Sequence, residues 1–208
     1  MSMLELKDIN LHFGSQPLLK DLSVKVPSGG RLLIEGESGT GKSTILRLIL
    51  GLVRPDSGTV CIEGEVLNHR NVWAMRRKMA YVSQDMQLGR GRVEAFIREI
   101  FSFKQNQDLS YSREKAVELL EHFGLPESTL EADLENLSGG ELQRVAIIIT
   151  LLLQRKIYLL DEITSALDQN LKSLMVEHFT GLEHATLVVV SHDPLWHEQG
   201  FQTIKLSR

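Results

Sequence analysis

The sequence predicts an α/β fold, a parallel core sheet covered on both faces with β-rich and helical stretches attached to it. Three observations carry this. The runs "KIYLLDE" and "ATLVVVSHD" are almost continuously apolar, as strands covered on both faces are. The strand-like "RLLIEG", a glycine-rich turn and the helically periodic "KSTILRLILGL" follow one another in the order of a βα unit. Between these two parts, from about Gln84 to Asn136, strand character disappears.

In chain order, "MLELKDI", "LKDLSVKV", "RLLIEG" and "TVCIEG" read as short strands, punctuated by Pro27-Ser28-Gly29-Gly30 and Pro55-Asp56-Ser57-Gly58. The apolar helix "KSTILRLILGL" lies between the last two. "GRVEAFIREIFSFKQ" and "SREKAVELLEHFGLPE" are charged and helix-compatible, which predicts a helical lobe inserted into the α/β domain. A helix follows from Gly139 to Leu153, then the two buried strands, then "FQTIKLS" as a last strand. The run "VAIIITLLL", Val145 to Leu153, is about half of the ~20 residues that a membrane-spanning helix needs, so it predicts a core helix. There is no internal repeat, low-complexity tract or long linker.

With 208 residues, 42% hydrophobic and 24% charged, the chain is long enough for one sizeable core plus a small subdomain. A net charge of −4 without a basic tail leaves no electrostatic footprint for nucleic acid, which is excluded as a partner. Lone Cys61 has no internal disulfide partner, and "MSMLELKDINLHFG" is too charged for a signal peptide, so the expected compartment is the cytoplasm.

Gly36-Glu37-Ser38-Gly39-Thr40-Gly41-Lys42-Ser43 satisfies G-x-x-x-x-G-K-[ST] between a strand and a helix, where a phosphate loop must stand. The backbone from Gly36 to Thr44, through Ser38, Gly39, Thr40 and Gly41, would wrap the phosphates of ATP. Lys42 would reach the β- and γ-phosphates, and the Ser43 hydroxyl would ligate Mg²⁺. "KIYLLDE" ends in Asp161 and Glu162, which strand alternation sends to opposite sides. Asp161 is the expected Mg²⁺ partner, and Glu162 is left to polarise a water; the alternative is a solvated strand end capping the next helix. "LSGGELQR", Leu137 to Arg144, is a small-residue turn opening onto a helix, a second place where free N–H groups can meet an anion.

In this combination the whole chain resembles the ATP-binding subunit of an ATP-binding cassette (ABC) transporter. Gly36 to Thr44 is similar to Walker A, Gln84 in "YVSQD" to the Q-loop glutamine, "LSGGE" to the family signature and "IYLLDE" to Walker B. "SALD", Ser165 to Asp168, resembles the D-loop, His192 in "VVVSHD" the switch histidine, and Phe13 the aromatic that stacks on adenine. The resemblance implies a P-loop NTPase ABC cassette: one domain over 1–208 with a mixed or parallel core sheet, an antiparallel β subdomain and a helical lobe at about 85–150. It implies a catalytic set of Lys42, Gln84, Glu162 and His192, with Mg²⁺ held by Ser43, Asp161 and Gln84. Ser138, Gly139, Gly140, Glu141 and Asp168 would face the ATP of a second copy, in a homodimer formed head to tail on ATP binding. At single residues other readings stay open: Phe13 as a core aromatic, Gln84 and His192 as structural residues, Asp168 as a helix N-cap.

The resemblance also implies ATP hydrolysis that drives an integral membrane permease, from a peripheral position on the cytoplasmic face of the inner or plasma membrane. "LGRGRV", "DEITSALD" and "LLEHFGLPESTL" are similar to the bacterial iron-export (Fet/Ybb-type) ABC ATPases, which implies exporter-type transport with iron as cargo. The alternative is a soluble, non-transport ABC ATPase of the iron–sulfur assembly type. A P-loop GTPase is disfavoured by the lack of "NKxD". The chain departs from the family pattern at Glu141, where glutamine is commoner, at Ile163, where proline is usual, and at Ile149, where an arginine is expected.

Overall fold

A computed structural model describes residues 2–83, 88–165 and 167–207. The strands are β1 (Ser2–Phe13), β2 (Gln16–Pro27), β3 (Arg31–Gly36), β4 (Ser57–Ile62), β5 (Glu65–Val66), β6 (Met79–Val82), β7 (Ile157–Asp161), β8 (Thr186–Val190) and β9 (Gln202–Leu206). The helices are α1 (Lys42–Ile49), α2 (Val72–Arg76), α3 (Val93–Ser102), α4 (Arg113–His122), α5 (Gly139–Leu152) and α6 (Gln169–Thr180). The core sheet has the order β6-β7-β8-β3-β9 and every pairing in it is parallel. A separate antiparallel sheet has the order β2-β1-β4-β5. Strands β5 and β6 and the short helix α2 have no counterpart in the sequence reading, because two or four strand residues, or five helical ones making little more than one turn, are too short to display a period.

Alternation along the core strands divides the interior in two. Leu32, Ile34, Ile157, Leu159, Val188 and Val190 face α1 and the antiparallel sheet. Leu33, Tyr158, Leu160, Leu187 and Val189 face α5, α6 and the helical lobe. Strands β7 and β8 are buried at every position, as their unbroken apolar runs predict.

In the lobe, α3 buries Val93, Ile97 and Phe101, one per helical turn, and Ser112 caps α4 by accepting the Lys115 N–H at 3.1 Å. Helix α5 is buried almost all round, so it shows little amphipathic periodicity. Ile149, 5% exposed, packs in that core where the family pattern expects an arginine. Among the described residues, no helix is long and apolar enough to cross a membrane.

The sheet order decides where function can sit. Strands β7, β8 and β3 are neighbours, and Asp161 lies opposite Val190, which lies opposite Ile34. Their carboxyl ends therefore bring the loops after Gly36, Asp161 and Val190 to one edge, where open α/β sheets bind ligands.

Candidate active site

The phosphate loop begins where the backbone has no room for a side chain. A Cβ at Gly36 (φ +150°) would lie 2.5 Å from the Leu206 carbonyl oxygen and 2.8 Å from Thr40 Oγ1. Thr40 is buried and donates to the Glu37 carbonyl at 2.8 Å, which folds the loop on itself. Gly41, at φ 96°, opens α1 without any side-chain cap, so the first N–H groups of the helix stay available to an anion. Lys42 Nζ donates to the Gly36 carbonyl at 2.6 Å and to that of Glu37 at 2.9 Å, resting the cation on the loop it serves.

Asp161 ends β7 at 4% exposure. Burial pushes its carboxyl up; hydrogen bonds from the Ser43 and Tyr81 hydroxyls, and at longer range the Arg47 and Lys42 cations, pull the other way. Tyr81 is a site residue that the sequence reading missed, because it sits on the short strand β6.

Glu162 corrects the argument from strand alternation. Its backbone turns to φ 52°, its N–H donates to the Val190 carbonyl at 2.9 Å, and its carbonyl accepts from the Ser165 N–H and hydroxyl. The pleat has ended, so Asp161 and Glu162 line the same cleft instead of opposite faces. Their surroundings still separate them: Asp161 meets hydroxyls, whereas Glu162 Oε1 lies 3.5 Å from His192 Nε2. Burial is the main influence on Glu162 and raises its carboxyl above the usual range, opposed by His192 and Lys42.

One cleft of 1370 Å³ thus gathers Phe13, Ser38, Gly39, Thr40, Gly41, Lys42, Ser43, Thr44, Asp161, Glu162 and His192. Gly36 stands at its root through the bond to Lys42. Phe13 is 84% exposed on the rim, which removes its reading as a core aromatic. Gln84 lies outside the described residues.

Ser138, Gly139, Gly140 and Glu141 are not brought to this cleft; they form the start of α5 elsewhere on the surface. There Ser138 and Glu141 make a capping box: the Ser138 N–H and hydroxyl donate to the Glu141 carboxylate at 2.8 and 2.7 Å, holding that carboxyl below the usual range. Asp168 caps α6 by accepting the Leu171 N–H at 3.0 Å, and its neighbours Ser165 and Gln169 line the cleft. Buried Gln143, one turn into α5, donates to the Ile163 carbonyl at 2.9 Å and so joins the "LSGGE" helix to the turn after Glu162.

A glycine-rich loop beside one buried carboxylate, one half-buried carboxylate and a histidine has the parts to bind and cleave a nucleotide. Comparison with known proteins agrees. The family described as "ABC transporter" matches residues 19–165. The "Fe(3+) ions import ATP-binding protein FbpC" of Mesorhizobium japonicum is 36% identical over 198 residues, 93% of this chain, which spans about half (54%) of that relative's length. The "Probable iron export ATP-binding protein FetA" of Escherichia coli K12 is 32% identical over 194 residues, covering 92% of this chain and 85% of that one. Among solved structures, the dimeric post-hydrolysis state of the ATP-binding cassette MJ0796, bound to ADP and Pi, superposes with a TM-score of 0.84 at 29% identity, over 99% of this chain and 94% of that one. By the family match over residues 19–165 and by its alignment with 85% of FetA, this chain belongs to the ABC transporter family and is an ATP-binding domain of it.

Proposed function

We propose that the chain hydrolyses ATP as a pair of copies and that the closing and opening of the pair drives a membrane-embedded partner. The observation that carries this is the single cleft holding the phosphate loop, Asp161, Glu162 and His192. Phe13 stacks on the base, the loop N–H groups and Lys42 hold the phosphates, and Glu162 orients the attacking water. His192 supports charge that develops at the γ-phosphate. The raised Glu162 carboxyl fits a group that accepts a proton as water attacks.

Asp161 is a buried carboxylate bonded to hydroxyls, one of them from Ser43, and this donor set fits Mg²⁺. Bound there by Ser43 and Asp161, with Gln84 as the further contact that the family resemblance implies, the ion would neutralise phosphate charge.

Ser138, Gly139, Gly140 and Glu141 stand away from the cleft of their own chain, which supports the reading that they close on ATP held by a second copy, with Asp168 at the seam. For the membrane partner, the largely apolar groove lined by Trp73, Arg76, Arg77, Ile100, Phe103 and Arg155 is the docking place proposed. This would hold the chain at the cytoplasmic face of the membrane. The relatives' printed names support transport over the soluble alternative; those of FbpC and FetA support iron as the cargo, and the fuller alignment with FetA supports export.

The test is to purify tagged Glu162→Gln protein from native membranes with ATP and Mg²⁺ and to identify what accompanies it by mass spectrometry. A multi-spanning protein, together with iron accumulation in cells that lack the chain, is the expected result. Recovery of soluble partners alone, from a well-solubilised membrane fraction, would return the choice to the assembly-type ATPase.

A further inference from the structure

The segment that carries His192 is held at both ends by charge. Asp193, the next residue, caps the 3₁₀ turn Pro194–Gln199: its Oδ1 accepts the Leu195 N–H at 3.2 Å, and its own N–H donates to Ser191 Oγ at 3.1 Å. Its Oδ2 is buried and faces the Lys172 ammonium at 3.0 Å, with the two side chains 8% and 24% exposed. Lys172 stands in the first turn of α6, just beyond the Asp168 cap, and lines the nucleotide cleft. At the other end of the segment, His197 Nε2 lies 2.7 Å from Glu35 Oε1, and Glu35 directly precedes Gly36 of the phosphate loop. Fully buried Trp196 lies between the two contacts.

The far end is therefore tied to β3, and the near end to α6. We infer that Lys172 is a positioning residue for the proposed hydrolysis: its pairing with Asp193 holds His192 beside Glu162 and makes the place of that histidine depend on the start of α6. This rests on the reading of the cleft as an ATPase site. The physical reason is the poor solvation of the Asp193 carboxylate. Deprived of its cation, a buried carboxylate is relieved by swinging towards water, and His192, one peptide bond away, moves with it. The Lys172 ammonium is spent on Asp193, so it acts through the histidine and not on the phosphates. Because α6 starts at the Asp168 cap, any displacement of that cap on pairing of two copies reaches His192 through the same contact.

The test compares the wild-type protein with Lys172→Met, Lys172→Arg and Asp193→Asn; the last removes the buried charge while keeping a capping side chain. In steady-state ATP hydrolysis, Lys172→Met is expected to lower kcat about tenfold or more, since a displacement of about 1 Å at a reacting centre can cost up to about a hundredfold. KM for ATP should stay within about twofold, and Lys172→Arg should recover most of the rate. In carbon-correlated spectra of protein with labelled histidines, the His192 ring resonance should shift or broaden in Lys172→Met and Asp193→Asn and return in Lys172→Arg, while that of His197 stays in place. A raised KM at unchanged kcat, or a His192 resonance that does not move in either variant, overturns the inference. If the wild-type protein fails to hydrolyse ATP, the proposed function fails, whereas the His192 resonance still decides whether Lys172 positions that residue.

Discussion

Glu162 combines a left-handed backbone with a half-buried carboxylate, and both features cost stability. Glu162→Gln keeps the backbone strain and removes only the charge, so it isolates the second cost. The nucleotide-free variant should be more stable than wild type by about 0.5–2 kcal/mol, a rise in Tm of about 1–8 °C for a chain this size. Because the folded-state pKa is raised, the wild-type burden is present at neutral pH and fades as pH falls through that raised value and the residue becomes neutral. The difference in Tm should narrow in acid, and calorimetry across pH checks it. Phe13 offers the contrasting case. It is 84% exposed, so Phe13→Ala should leave stability within about 0.5 kcal/mol while weakening ATP binding by roughly 0.5–1.5 kcal/mol, measurable by titration calorimetry. The loop glycines, Lys42, Ser43 and Asp161 could be read from local spacing, and Phe13 from the family resemblance. Tyr81, Gln143 and Lys172 could not, because each earns its place through a contact distant in sequence.

Among the elements, α5 does two tasks, filling the core with one end and presenting "LSGGE" with the other. It is buried on nearly all sides, and Ile147→Ala, at a fully buried position, should cost about 2–5 kcal/mol in chemical denaturation. Helix α6 depends on its cap: Asp168→Ala should cost about 1 kcal/mol of monomer stability through the lost bond to Leu171. If Asp168 also links two copies, ATP-dependent pairing in the Glu162→Gln background will weaken more than that loss accounts for. Sedimentation at several protein concentrations separates the two contributions. Most elements were legible because their apolar periods ran for five residues or more. Strand β6 was not, since its four residues show no period, and the end of alternation at Glu162 was hidden because it depends on a bond to Val190 in a different strand.

For the whole molecule, the "LSGGE" helix start lies outside the cleft that holds the phosphate loop, an arrangement that suits two copies meeting head to tail. The expected outcome is a monomer without nucleotide and a dimer with ATP when Glu162→Gln blocks turnover. Adding Ser138→Arg should abolish that dimer and leave ATP binding by the monomer unchanged. Light scattering after gel filtration reads the first result and nucleotide titration the second; persistence of the dimer in Ser138→Arg would refute the head-to-tail arrangement. The sequence by itself determined the parts: a phosphate loop, a carboxylate pair, a helix start and buried strands, each encoded within a few consecutive residues, where turn chemistry and side-chain period operate. Only the tertiary structure decided how they meet. The parallel order β7-β8-β3 places three loops from distant parts of the chain at one edge, and the turn at Glu162 aims both carboxylates into one cleft. The Lys172–Asp193 pair joins α6 to the histidine segment. These are choices among long-range pairings, which depend on burying both faces of the core sheet at once, and no short window of sequence contains that constraint.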